Sequence, residues 1–260
     1  MPEEQEALQS VGGWEVNTLR ATTFVGPDFN VHPEISWWTQ VVENDAEESR
    51  SRRSVGELQE SGVFEGKRLV LDIKPGRVDW NLSALPGPPD ELPEMLPTIG
   101  PLNDVLTSFL RLTSKWLDVC PPASRIAFGA ILIKPVPDRE TGYSAISELL
   151  PTVEIDPENS FDFHYQINRP RTSLSGITGL RLNRLAKWSV AATFRLQVGA
   201  GVGGRGVVHD AEQPRFFCRL ELDMNTDSEF SEGFSRDNMR PVFHELVDLG
   251  RQIAEGGDIR

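Results

Sequence analysis

Apolar and polar positions alternate with a period of two along several stretches of this chain, and follow the three-and-four spacing of a helix along two others. In residues 14–25, Trp14, Val16, Thr18 and Arg20 alternate with Glu15, Asn17, Leu19 and Ala21. That alternation is imperfect, but the Thr, Val and Trp content favours a strand. Leu69, Leu71 and Ile73, then Val78, Trp80 and Leu82, predict a β-hairpin over 68–82 that turns at Pro75-Gly76. Further strands are predicted at 125–134, 161–167, 188–198 and 216–224. Leu102, Leu106, Phe109, Thr113, Trp116 and Cys120 mark an amphipathic helix over 102–120, opened by Pro101 and stopped by Pro121-Pro122. Val242, Leu246, Leu249 and Ile253 mark a second helix over 239–254, with Gly256-Gly257 beyond its end. The segment 35–38 is short and apolar, with Trp37 and Trp38 as exposed aromatic candidates. Residues 43–53 read as an exposed charged loop, and the proline-rich 84–101 as an extended connection.

Runs of strands that end in one helix predict an α+β fold of antiparallel sheets rather than alternating strand and helix. Arg68-Leu-Val-Leu-Asp-Ile73 echoes Arg219-Leu-Glu-Leu-Asp-Met224, and an amphipathic helix follows each. The expected organisation is therefore a disordered tail (1–10) and two β-rich, pseudo-repeated halves. The first (11–122) is closed by the helix 102–120, the second (123–260) by the helix 239–254.

With 260 residues, 38% apolar, the chain can bury a full core without staples. No apolar run approaches the ~18 residues of a membrane span. The polar N-terminus lacks the basic and apolar regions of a secretion signal. Cys120 and Cys218 stand outside any paired spacing, so zinc and redox motifs are not expected, and a reducing cytoplasm fits. Net charge is −13, which argues against general attraction to nucleic acid or an anionic membrane. The charge is uneven, however. Residues 1–60 hold four Arg against twelve Asp or Glu, whereas residues 161–220 hold eight Arg and one Lys against three acids.

Three segments carry candidate chemistry. On a strand, Asp162, His164, Gln166 and Asn168 share one polar face that could line a groove. Arg169, Arg171, Arg181, Arg184 and Lys187, with Trp188 after them, form a basic block suited to phosphate or an acidic protein surface, or to a charged strand edge that resists sticking. Gly199 to Gly206 contains GxGxxG twice, but a polar turn and a strand follow where a dinucleotide site needs a helix. A mobile hairpin tip is expected there. His244-Glu245 lacks the second histidine of a zincin helix, and the four histidines show no ligand spacing. No cofactor or metal is expected.

The order of these features resembles a sporadically distributed family of mostly uncharacterised bacterial proteins of about 250 residues. The residues that carry the resemblance are Arg68 to Ile73 with the hairpin to Trp80, the 102–120 helix, the 125–134 strand, the 219–224 strand and the 241–253 helix. The resemblance implies an antiparallel α+β fold and a role beside other proteins in a variable gene neighbourhood. The expected function is a non-catalytic interaction or chaperone-like component of a bacterial multiprotein system, of a defence or toxin–antitoxin type. Its partner is another protein, with self-association open. The alternatives are a hydrolase using Asp162, His164 and Asn168, and phosphate or nucleic-acid binding through the basic block 169–195.

Overall fold

The computed structural model describes residues 11–26, 29, 34–87, 95–194, 196–200, 206–211 and 213–258. The expected tail, 1–10, lies outside them. The first strand, β1 (Glu15–Val25), slips register between Val16 and Thr18 against its neighbour. That bulge at Asn17 explains the imperfect alternation, because it lets Val16 and Leu19 both face the core. After α1 (Trp37–Val42) come β2 (Glu48–Arg52), β3 (Glu57–Phe64), β4 (Lys67–Lys74) and β5 (Arg77–Ser83), then α2 (Leu102–Val119). The chain continues with β6 (Ala123–Val136), α3 (Arg139–Leu149), β7 (His164–Asn168), β8 (Arg171–Thr172) and β9 (Arg181–Thr193). It ends with β10 (Leu196–Ala200), β11 (Gly206–Ala211), β12 (Arg215–Thr226) and α4 (Arg236–Gly256).

Ten of the strands form one antiparallel sheet in the order β2-β3-β4-β5-β1-β6-β12-β9-β7, with β8 also on β9. The fold is mixed α+β, as the pattern predicts. β10 and β11 pair as a separate hairpin, and the glycine-rich residues 201–205 between them lie outside the described residues.

All four helices cover one face of the sheet. Phe128 of β6 packs its ring against Phe109 of α2 and Phe243 of α4. Trp80 of β5 stacks on Trp38 of α1 and tilts against Trp116 of α2. Gly142 of α3 lies so close to Val190 of β9 that a Cβ would sit 2.8 Å from it. The alternating residues on this face (Leu69, Leu71, Val78, Trp80, Leu132, Leu220 and Leu222) are buried, while their neighbours point to the opposite face, which carries no helix among the described residues.

Several expectations are corrected. Trp37 and Trp38 are not exposed; they are 7% and 1% accessible and form the inner side of α1. Part of the expected loop at 43–53 is the edge strand β2, whose five residues are all exposed. Arg181, Arg184 and Lys187 belong to β9, which lies between β12 and β7, so they do not guard the edge of the sheet. The similar segments 68–73 and 219–224 hold different places: β4 is separated from β1 by β5, whereas β12 lies next to β6. The helix α3 had no clear signal because Gly142 interrupts its apolar face; Asp138 caps it by accepting from the Thr141 amide at 2.7 Å. Among the described residues, no helix is long and apolar enough to cross a membrane.

Candidate binding groove on the open sheet face

Cross-strand register places the polar residues of the helix-free face in level rows. One row runs Asn81 (β5), Arg20 (β1), Gly129 (β6), Asp223 (β12), Leu185 (β9) and Asn168 (β7). The next runs Ser83, Thr18, Ile131, Glu221, Lys187 and Gln166. A third joins Asp72, Asp79, Thr22, Ala127, Asn225 and Asn183. The central strand β6 thus offers Ala127, Gly129 and Ile131, while its neighbours offer long polar side chains. A groove of about 320 Å³ follows, with Gly129 and Ile131 on its floor. Its walls are Thr18, Arg20 and Asn81 on one side and Glu221, Asp223, Lys187 and Gln166 on the other.

The walls are knitted by hydrogen bonds. Asn225 donates to Asp223 at 3.0 Å and receives bonds from Arg125 at 2.7 Å and Asn183 at 3.1 Å. Lys187 donates to Glu221 at 3.2 Å, and Arg219 Nε lies 3.4 Å from the same carboxylate. On the other wall Asp72 accepts from Gln59 at 2.7 Å, and Asp79 accepts from Thr22 and, in a fork, from Arg77 at 2.6 and 2.9 Å. Arg20 is different. Its guanidinium lies over Gly129, where a Cβ would come within 3.2–3.4 Å of it. Its Nε is buried without a hydrogen-bond partner, and its nearest anion, Asp223, is 3.9 Å away.

The residues singled out by sequence fall in three places. His164 and Asn168 share the open side of β7 with Gln166, but only Gln166 lines the groove. Asn168 is tied down, donating to Asn183 and accepting from the Arg184 amide. Asp162 stands outside the strand, exposed, with φ of 52°. The basic block is divided. Lys187 joins the groove wall, Trp188 enters the core, Arg181 is exposed, and Arg171 donates to the Thr172 carbonyl. Arg169 grips Asp258 at 2.5 and 2.6 Å, and Tyr165 donates to the same carboxylate. Burial and that carboxylate push the Tyr165 hydroxyl above its ordinary range. Arg184 is buried and donates to the Arg169 carbonyl at 2.8 Å; burial, with Arg171 and Arg169 nearby, lowers its basicity. Sequence reasoning missed Arg20, Asn81, Gly129, Glu221 and Asp223, since only register joins them. Among the described residues no cluster of three or more His, Cys, Asp or Glu could hold a metal ion.

Comparison with known proteins finds no match to a family model, a curated protein or a solved structure.

Proposed function

We propose that the protein is a non-catalytic binding component that takes a protein partner on the open face of its sheet. The observation that carries this reading is β6, whose Ala127, Gly129 and Ile131 form a low floor between two charged walls. Part of this face is already covered, as at Ile133 and Phe217, so the groove rather than the full width of nine strands is the surface offered to a partner. The mixed signs of the walls (Arg20 and Lys187 against Glu221 and Asp223) suit a polypeptide better than a nucleic-acid backbone. A hydrolase would need an activated base at a reacting centre, and the carboxylates of this groove are already engaged by Lys187 and Asn225.

We also infer that the two halves are pseudo-repeats, each closed by its helix. Both run from a long strand through a short helix and antiparallel strands to a long helix, and in both the chain crosses from the central strand to the outer edge of the sheet and returns strand by strand toward the β1–β6 junction. The groove then lies where the halves meet, a common place for binding sites. An adaptor or chaperone-like subunit of a multiprotein system fits this design.

The test is affinity capture from the native host with the tagged wild type, an Arg20→Glu/Lys187→Glu variant, and Arg181→Glu as control. A partner held by the wild type and the control, and lost from the double variant, supports the reading. Equal capture by all three defeats it.

A further inference from the structure

Resting on that reading, we infer that the groove recognises an extended segment of the partner with an acidic residue directly beside a basic one. A guanidinium presents a planar fork of donors that matches a carboxylate, and buried donors are ordinarily satisfied. Arg20 Nε is buried yet lacks a partner, and the side chain, 37% exposed, has only the 3.9 Å approach of Asp223. Gly129 beneath holds the group flat because no side chain intervenes. The exposed end of the guanidinium is thereby left for an incoming carboxylate.

The opposite wall supplies the second half. Asp223, 41% exposed on its side chain, faces the groove across Gly129, and Glu221 lies one row further along β12. Two strand spacings, about 10 Å, separate β1 from β12, which leaves room for one extended chain above β6. Side chains of such a chain alternate to either side. A residue aimed at β1 meets Arg20, and the next one, aimed at β12, meets Asp223 and Glu221. An acidic residue directly beside a basic one is therefore the matching pair. A dianionic phosphate would satisfy Arg20 but would face both acids of the other wall.

The test uses ¹⁵N-labelled full-length protein and follows the backbone amide resonances of Gly129 and Asp223, which wild type and variant share. The probes are the end-blocked peptide Ac-Gly-Glu-Lys-Gly-NH₂, its Gln-Gln counterpart, the free glutamate–lysine salt and inorganic phosphate. We expect a saturable shift with the Glu-Lys peptide that is at least fivefold weaker with Gln-Gln, and that is lost in Arg20→Lys. Arg20→Lys keeps the charge and removes the fork. Equal shifts from both peptides, no shift from either, or a larger response to the free salt or to phosphate would overturn the inference. Partner capture that is lost on Arg20→Glu, alongside a failed peptide titration, would sink this inference and leave the binding-face reading standing.

Discussion

Removing the Asp258 carboxylate should destabilise the fold measurably, because it unlocks the end of α4 from Tyr165 of β7 and the adjoining Arg169. Asp258 is 2% exposed on its side chain and accepts two bonds from Arg169 and one from Tyr165. Its amide donates to the Leu149 carbonyl at 2.9 Å, and Gly257 before it has φ of +74°, with no space for a Cβ beside Leu149. In Asp258→Ala the guanidinium of Arg169, 26% exposed on its side chain, would lose its counter-charge. Breaking a fully buried pair costs about 3–5 kcal/mol; with water reaching Arg169, about 2–3 kcal/mol is the reasonable figure. At ~2.1 cal/mol/K per residue, unfolding 260 residues releases ~0.55 kcal/mol/K, so Tm should fall by about 4–5 °C. Calorimetry on wild type, Asp258→Ala and the Arg169→Met/Asp258→Ala pair checks it. The double variant should recover part of the loss, since it removes the stranded charge. A Tm within 1 °C of wild type for Asp258→Ala, or full additivity of the two changes, would refute the reasoning.

Phe128→Ala, by opening a cavity between Phe109 and Phe243, should cost about 3–5 kcal/mol and lower Tm by roughly 6–9 °C in the same experiment. Burial pushes the Cys120 thiol up to about 12 and that of Cys218 up to about 11, so a thiol reagent at pH 8 should label both only after denaturation. Below ~8.5 both folded and unfolded thiols are protonated; above it the unfolded chain releases protons that the native state keeps, so stability should fall as pH rises through 9 to 11. Thermal melts across that range should show a smaller alkaline loss in a Cys218→Ala variant, and an identical loss would count against it. Gly129→Leu should fill the groove and abolish partner capture while shifting Tm by less than about 2 °C, because the atom met first is the far end of the flexible Arg20 side chain.

The architecture was largely legible where one physical signal dominated. The α2 stripe from Leu102 to Trp116 and the 68–82 hairpin are both present, because a helix or strand with one buried face must repeat at its own period. Trp37 and Trp38 misled because the surface that covers them comes from α2 and β5, distant in sequence. Arg169 and Arg184 were read as surface charge, yet Asp258 and the Arg169 carbonyl draw them inward. The groove was not legible at all. Arg20, Gly129 and Asp223 meet only through the pairing of β1, β6 and β12, and register is a property of the assembled sheet rather than of any one segment.

The expected contact surface for the partner is the open face and not the helix layer. Photo-crosslinking in cells tests it most directly, with a benzophenone amino acid placed at Gln166, exposed on the open face, or at Ser144, exposed on α3. One discrete crosslinked species is expected from position 166, none from position 144, and loss of the former when Arg20→Glu is added. Crosslinks from position 144 alone, or from neither position, would contradict it.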